Sequence, residues 1–387
     1  MYLVLFIGAL AFLILAHELG HFIVAKRNGI RVDEFGIGFP PRLFKYKKGE
    51  TIYSINLLPL GGFVKIYGED GLEEGEVAGP SVKLSLTECV EKGVCLKDLP
   101  SGSIKELREE EKERSFAFKS VGVRSKVIAA GVICNFIVGW LLLSTGLMFG
   151  LPISTDAVST TEGMENIQVV IIDVSKDSPA SEAGLLPGDE LIGFSTITDV
   201  QKFVVENKGK EVELKYKRGM EEFSVNIIPR VEVPDDQGAL GIGMSEVGVA
   251  KFSWYIALWE GARLTFRLAY SIVITLYYFV YDLIKGVANI SAVMGPVGIV
   301  HHAVGTVAQL GLVSILSFIA LLSINLGVLN LMPFPALDGG RLLFLFIEKI
   351  KGSPINPRFN AITNGIGLLL LLALMAVITY NDVLGLM

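Results

Sequence analysis

Residues 2–25 read YLVLFIGALAFLILAHELGHFIVA, an apolar run long enough to cross a bilayer as one helix. A signal peptide of this length would carry basic residues before its apolar core and a small-x-small cleavage site after it, and both are missing. We therefore predict a retained first transmembrane helix over residues 1–25. His17, Glu18 and His21 lie inside it, which is costly in lipid and indicates a functional site.

The whole chain has the composition of an integral membrane protein with soluble parts. Its 387 residues are 51% hydrophobic and only 19% charged, whereas about 25% is usual for soluble domains. Charged residues are absent from residues 127–155, 286–337 and 359–381. These runs predict three more transmembrane helices, at residues 127–149, 311–333 and 359–381. The net charge of −6 argues against a nucleic-acid partner.

Basic residues crowd the loop at residues 26–126, which the positive-inside rule places in the cytoplasm. The region after the second span then lies on the other side of what we expect to be a bacterial cytoplasmic membrane. Residues 250–308 are predicted to be amphipathic and membrane-associated, without crossing the bilayer. Only 14 uncharged residues separate Arg267 from Asp282, and that is too few for a span.

The motif His17-Glu18-Leu19-Gly20-His21 predicts a metal site, because histidines four residues apart share one helical face. This spacing suits one zinc ion, with Glu18 beside the water that the metal activates. Catalytic zinc needs a third protein ligand. Asp338 is a candidate, since prolines before it and Gly339-Gly340 after it permit an unusual turn, although a helix N-cap is the alternative. His301 and His302 are adjacent, face different directions and suit one metal poorly.

These motifs, in this order, resemble the site-2 protease family of intramembrane zinc metalloproteases. The resemblance is carried by residues 17–21, by Gly61-Gly62-Phe63-Val64-Lys65 and by the run from Asn330 to Gly339, and it covers most of the chain. The layout is similar to bacterial RseP-type members with a single PDZ domain. The resemblance implies these roles: His17, His21 and Asp338 as Zn²⁺ ligands, Glu18 as the catalytic carboxylate, and Asn325 and Asn330 as contacts to the substrate backbone or oxyanion.

The family resemblance also implies the substrate class. Its members cut single-span membrane proteins that another protease has trimmed, and clearing signal peptides, releasing an anti-sigma factor and processing a signalling peptide fit equally well. Residues 51–58 and 63–67 are predicted to form a β-hairpin around Pro59-Leu60-Gly61-Gly62. An edge strand of this hairpin, with Gly61 and Gly62, would bind the unwound substrate. The alternative function is a catalytically inactive scaffold that binds peptides.

Two departures from the family pattern are visible. Residues 69–113 look like an insertion, and Ala130-Gly131-Val132 stands where Ala-Gly-Pro is usual, with Asn135 retained. We expect neither departure to touch the metal site.

Residues 160–235 resemble a circularly permuted bacterial PDZ domain. Three β-rich runs, at residues 169–173, 212–216 and 223–228, surround the Pro-Ala, Ala-Gly-Leu and Gly-Asp sequences of residues 178–194. The resemblance implies a domain that filters substrates or reads a new C-terminus. The expected fold class is a polytopic α-helical membrane protein with four transmembrane helices. This fold also has a cytoplasmic-side membrane-associated β-hairpin and one inserted extracytoplasmic PDZ-like α/β domain. Residues 334–358 are expected to form an LDG turn followed by a cytoplasmic segment.

Overall fold

The structure, a computed structural model, describes residues 2–69, 111–219, 221–233, 237–287, 295–300, 311–353 and 355–385. The chain divides into two compact units. The first comprises Met1–Gly139, Arg267–Leu310 and Phe318–Met387, and the second comprises Trp140–Phe266 and Gly311–Ser317. Most of the predicted insertion at 69–113, and both His301 and His302, lie outside the described residues.

In chain order the described helices and strands are α1 (Tyr2–Arg27), β1 (Val32–Lys48), β2 (Thr51–Ile66), α2 (Val121–Phe149), β3 (Leu151–Ser154), β4 (Met164–Val174), α3 (Pro179–Glu182), β5 (Glu190–Leu191), α4 (Ile197–Glu206), β6 (Val212–Arg218), β7 (Glu221–Ile227), β8 (Ile242–Ala250), α5 (Trp254–Lys285), α6 (Pro296–Gly298), α7 (Leu312–Leu331), α8 (Asp338–Lys351) and α9 (Pro357–Gly385).

Five of the described helices are long and apolar enough to cross a membrane, namely α1, α2, α5, α7 and α9. Four of them fall on the predicted spans. The fifth, α5, is one continuous helix of 32 residues that meets the same criteria of length and composition. The chain is therefore a multi-pass membrane protein, while the expected count of four spans stays a prediction.

Small residues let the helices of the first unit approach closely. A Cβ on Gly20 of α1 would lie 2.4 Å from the carbonyl oxygen of Ala130 in α2. A Cβ on Gly139 of α2 would lie 2.7 Å from the Ile324 side chain of α7. Such contacts are typical of membrane helices, where close van der Waals packing holds neighbouring helices together. These contacts place α1 against α2 at Ala130 and α7 against α2 at Gly139.

The predicted hairpin at residues 51–67 is wrong in its pairing. Residues 51–66 form a single strand, β2, and its partner is β1. The tight turn lies at Gly49-Glu50, where Lys48 pairs with Thr51. Both strands have register shifts, and residues 34–37 of β1 pair with residues 62–65 and also with residues 52–55. The two segments that we expected to pair with each other therefore lie on either side of β1.

The sequence misled this prediction for a physical reason. Pro59-Leu60-Gly61-Gly62 has the composition of a turn, so it suggested a link between two neighbouring strands. Residues 32–48 contain two glycines and Pro40-Pro41, and both residue types weaken a strand pattern. The prolines sit where β1 changes from one paired segment to the next, between Phe39 and Arg42. The strand that separates the two expected partners was therefore overlooked.

The second unit contains a six-stranded sheet with the order β3-β8-β4-β5-β6-β7. The predicted strands at residues 169–173, 212–216 and 223–228 correspond to β4, β6 and β7. Their inward side chains pack with α4 in a core that includes Val169, Ile171, Val200 and Leu214. Strands β3 and β8 lie outside the predicted range of 160–235. The sheet thus extends to Ala250.

Candidate metal centre

Helix α1 presents two imidazoles on the face that it turns toward α2 and α8. His17 and His21 are one turn apart, and their side chains are only 9% and 12% exposed. Their Nε2 atoms lie 3.2 Å from each other. The motif therefore forms the paired site that its spacing predicts.

Asp338 supplies a carboxylate to this pair. Its Oδ2 atom lies 3.0 Å from Nε2 of His17 and 3.3 Å from Nε2 of His21. Asp338 is the first residue of α8, and the N-cap position belongs to Leu337. The N-cap alternative for Asp338 is therefore wrong, and its side chain is free to face the histidines.

Two glycines shape the turn that delivers this carboxylate. A Cβ on Gly339 would lie 2.2 Å from the carbonyl oxygens of Leu331 and Met332, and a Cβ on Gly340 would lie 2.3 Å from that of Phe334. The chain therefore folds back tightly on the end of α7, which only residues without a side chain permit. Ala336 in the same turn has a φ of 74°, a strained conformation for a residue other than glycine.

The three donor atoms fit a zinc ion. Zinc bonds of about 2.0–2.2 Å at tetrahedral angles separate ligand atoms by roughly 3.3–3.6 Å, and the atoms here are 3.0–3.3 Å apart. Oδ2 of Asp338 is buried and faces no partner in the described structure other than these two imidazoles. Burial alone would raise the pKa of Asp338, but the facing imidazoles hold that pKa below its usual range. An ionised carboxylate is the form of this group that could bind a metal ion.

A cleft of about 340 Å³ opens beside the three donors. Glu18 and Asn330 both line it, together with residues 63, 64 and 66 of β2. Gly62 lies close to Glu18, since a Cβ there would be 3.5 Å from the Glu18 Cγ atom. Glu69 and Arg341 form an ion pair in the wall of the same cleft. His17, His21 and Asp338 are called the metal cluster from here on. The structure thus brings the Glu18 carboxylate, the Asn330 amide and the extended backbone of β2 next to it.

Gly62 lies against Glu18 but is not part of this lining, and neither are two further expected site residues, Asn325 and Gly61. The Asn325 amide donates to the carbonyl oxygen of Leu321 on its own helix, at 3.1 Å. Gly61 is buried and precedes the segment that lines the cleft. Their assignment to substrate binding remains a prediction without support from these contacts.

Helix α2 contributes residues that sequence reasoning did not assign to the site. Contrary to our expectation for the Ala130-Gly131-Val132 stretch, Gly131 packs against the rings of both histidines. Nδ1 of His21 donates to the carbonyl oxygen of Val127 at 2.8 Å, and the Asn135 amide lies 3.1 Å from Nδ1 of His17. The sequence did contain one signal for these contacts, namely an asparagine four residues after a glycine in an otherwise apolar span.

Comparisons with known proteins agree on one family. The family described as Peptidase family M50 matches residues 5–374. The regulator of sigma-W protease RasP of Bacillus subtilis is 33% identical, over 96% of this chain and 95% of that protein. Zinc metalloprotease RasP of Geobacillus kaustophilus is 32% identical, over 97% of this chain and 95% of that protein. A putative zinc metalloprotease of Clostridium perfringens is 32% identical, over 99% of both chains.

Proposed function

This chain belongs to peptidase family M50, the site-2 zinc metalloproteases, and from that premise we propose that it cleaves single-span membrane proteins or their remnants within the bilayer. The observation that carries the proposal is the cluster of three donor atoms within 3.3 Å. Two of its members come from α1, and the third is more than 300 residues away in sequence. Buried ionisable groups in a membrane protein have no structural benefit that would explain such an arrangement.

Each residue has a proposed role in peptide hydrolysis. His17, His21 and Asp338 hold the zinc ion. The bound ion supplies a Lewis acid that makes water nucleophilic at neutral pH. Glu18 accepts a proton from that water and passes it to the leaving amine. Asn330, which lines the same cleft, donates a hydrogen bond to the oxyanion that forms on the substrate carbonyl.

The outer edge of β2 is the proposed binding site for the unwound substrate. Residues 62–65 pair with β1 on one side only. In the described structure no strand lies on their other side, and Phe63, Val64 and Ile66 line the cleft. An extended peptide that paired with this edge would pass beside Glu18, because Gly62 lies against that side chain. This arrangement supports substrate binding by strand addition, although the hairpin itself differs from the predicted one.

The PDZ-like domain is proposed to filter substrates. Strand β3 pairs only with residues 247–250 of β8. Residues 242–246 of β8 pair with β4 and have no second strand partner among the described residues. Helix α4 lies beside this free edge, since the backbone N–H of Ile197 donates to the Glu246 carboxylate at 2.9 Å. A groove between a strand edge and a helix suits an extended chain.

The proposed location is the bacterial cytoplasmic membrane, with the PDZ-like domain outside and four spans. A contact of Asp382, near the end of α9, supports the count of four membrane spans. Gly367 packs against Pro335, near the metal cluster, and Asp382 lies fifteen residues further, about 22 Å along the helix. Asp382 accepts hydrogen bonds from the backbone N–H groups of Gly295 and Gly298. The chain that follows α5 therefore lies at the end of α9 opposite to the cluster, as expected if α5 does not cross.

The relative named regulator of sigma-W protease suggests an anti-sigma factor as one substrate of this chain. The test is co-expression of tagged single-span proteins, including an anti-sigma factor and a signal peptide remnant, with wild type or with Glu18→Gln. We expect cleavage by wild type and a loss of at least about 100-fold in the variant, the usual share of a general base. Equal cleavage by both, or none by either, would instead favour a peptide-binding scaffold.

A further inference from the structure

One face of α2 contacts both histidines of the metal cluster. Val127, Gly131 and Asn135 are spaced four residues apart, so they lie along one stripe of the helix. Each of them contacts His17, His21 or both. None of the three offers a metal ligand in this arrangement, because Val127 and Asn135 lie at the Nδ1 side of the imidazoles, and Gly131, which packs near Nε2 of His21, has no side chain. The stripe can therefore act only through the histidines.

The contact of His21 fixes the proton on one ring nitrogen. Nδ1 of His21 lies 2.8 Å from the carbonyl oxygen of Val127. A carbonyl oxygen only accepts hydrogen bonds, so Nδ1 must carry the proton. The lone pair of the neutral ring is then on Nε2, which is the atom that faces Asp338.

His17 has no such carbonyl and meets the Asn135 side chain instead. The Nδ2 atom of the Asn135 amide lies 3.1 Å from Nδ1 of His17. The two orientations of an amide differ by a 180° turn, which exchanges its nitrogen donor for its oxygen acceptor at this place. Nε2 of His17 faces the other donors, so metal binding by that atom requires the proton on Nδ1. The turned amide places the Asn135 oxygen where it accepts this proton, and the turn also gives a partner to an oxygen that is otherwise buried without one among the described residues.

Asn135 is held in place and its burial is costly. It has no exposed surface, and its backbone carbonyl accepts a hydrogen bond from the Ser323 hydroxyl of α7 at 2.8 Å. A buried polar group left partly unpaired destabilises a protein. Such a residue in an apolar span needs a compensating contact, and the only side chain within hydrogen-bonding distance of its amide, in the part of the chain that the structure describes, is His17.

Gly131 makes room for both rings at the centre of this stripe. A Cβ there would lie 2.4 Å from Nε2 of His21 and 2.8 Å from Cε1 of His17. Any side chain would therefore push the rings away from the positions that Val127 and Asn135 hold.

We propose that Asn135 is the positioning residue of His17, and that its amide oxygen sets the tautomer and ring orientation through which His17 binds zinc. The backbone carbonyl of Val127 does the same for His21. This inference rests on the proposed function, because it assumes that the three donors hold a metal ion. Groups that orient metal-binding histidines typically change metal affinity about 10- to 100-fold when they are removed.

The test compares the zinc affinity of the purified full-length protein, measured by chelator competition, in three variants. Asn135→Leu removes the acceptor, and we expect its zinc affinity to fall about 10- to 100-fold. Asn135→Asp keeps an acceptor oxygen and should stay within a few-fold of wild type. Thr145→Val is the control, because it also removes one polar group from α2, and among the described residues the Thr145 hydroxyl bonds only to the carbonyl oxygen of Leu141 on its own helix. It should match wild type.

A second readout needs no substitution. The chain has four histidines, so ¹⁵N-histidine labelling of the metal-free wild type gives few imidazole signals, and a His17→Gln spectrum assigns one of them. We expect neutral His17 to carry its proton on Nδ1. A proton on Nε2, or wild-type zinc affinity in Asn135→Leu, would overturn the inference while leaving the protease proposal intact. Absence of stoichiometric zinc from the wild type would overturn the proposed function itself.

Discussion

Single residues without side chains decide whether the Asp338 carboxylate can reach the histidines. Gly339 packs directly on the backbone at the end of α7, where a Cβ would lie 2.2 Å from two carbonyl oxygens. Backbone atoms cannot move aside as the end of a flexible side chain can. The tight turn, and with it the position of Asp338, therefore depends on the absence of this one carbon atom.

Gly339→Ala should weaken zinc binding by at least about tenfold and lower stability by about 1–3 kcal/mol, the usual cost of overpacking. Gly365→Ala is the matched control, because a Cβ on this glycine of α9 has no atom within 4 Å. Alanine is the better helix former, so the control should be neutral or slightly stabilising. Zinc titration and thermal unfolding measure both effects. Equal zinc affinity in the two variants would show that the turn tolerates the clash.

At the scale of elements, the two edges of the β1–β2 sheet differ in their surroundings. Residues 62–66 of β2 lie next to the cleft and Glu18. Residues 42–48 of β1 pair with residues 51–56 and form the opposite edge, where Leu43, Phe44 and Tyr46 are exposed. Only the first edge lies where an extended peptide would pass beside Glu18, the proposed catalytic carboxylate.

Disulfide cross-linking can distinguish these two edges. In a Glu18→Gln background with the native cysteines replaced, Val64→Cys should cross-link to a cysteine near the cleavage site of a single-span substrate. Lys47→Cys on the opposite edge should not, because the cleft lies on the other side of the sheet. Cross-links of similar yield from both positions would contradict strand addition at β2.

At the scale of the whole molecule, membrane topology depends on whether α5 crosses the bilayer. Its length and composition permit a span, but the contact of Asp382 with Gly295 and Gly298 holds the following segment at the far end of α9. If α5 crossed, the ten peptide steps from Lys285 to Gly295 would have to return across about 30 Å of hydrocarbon, which requires a nearly fully extended chain.

Labelling with a membrane-impermeant thiol reagent in a cysteine-free background tests this topology. Val287→Cys, an exposed position just after α5, should react in intact spheroplasts as readily as Lys176→Cys in the PDZ-like domain. Lys48→Cys, on the β1–β2 turn, should react only after lysis. A Val287→Cys that also requires lysis would mean that α5 spans the membrane and that five helices cross.

The sequence by itself determined the class of protein, the paired histidines and the strands of the inserted domain. These features depend on local periodicity and composition, such as long apolar runs, an i,i+4 spacing and alternating β-rich segments. The Asp338 ligand was also predictable, because a carboxylate among prolines and glycines at the end of an apolar span has few structural explanations. The structure places Asp338 3.0 Å from His17 and 3.3 Å from His21, and the role of the three residues as zinc ligands stays a prediction.

Only the tertiary structure decided which segment pairs with residues 62–65 and which residues stand behind the histidines. The pairing of β1 with both ends of β2 depends on register across a bent strand, and no local pattern specifies it. The contacts of Val127, Gly131 and Asn135 with the imidazoles join residues more than 100 positions apart. Such contacts arise from helix packing, in which small residues allow two helices to approach closely. In the sequence alone, the only signs of this packing are Gly131 and the polar Asn135 within an apolar span.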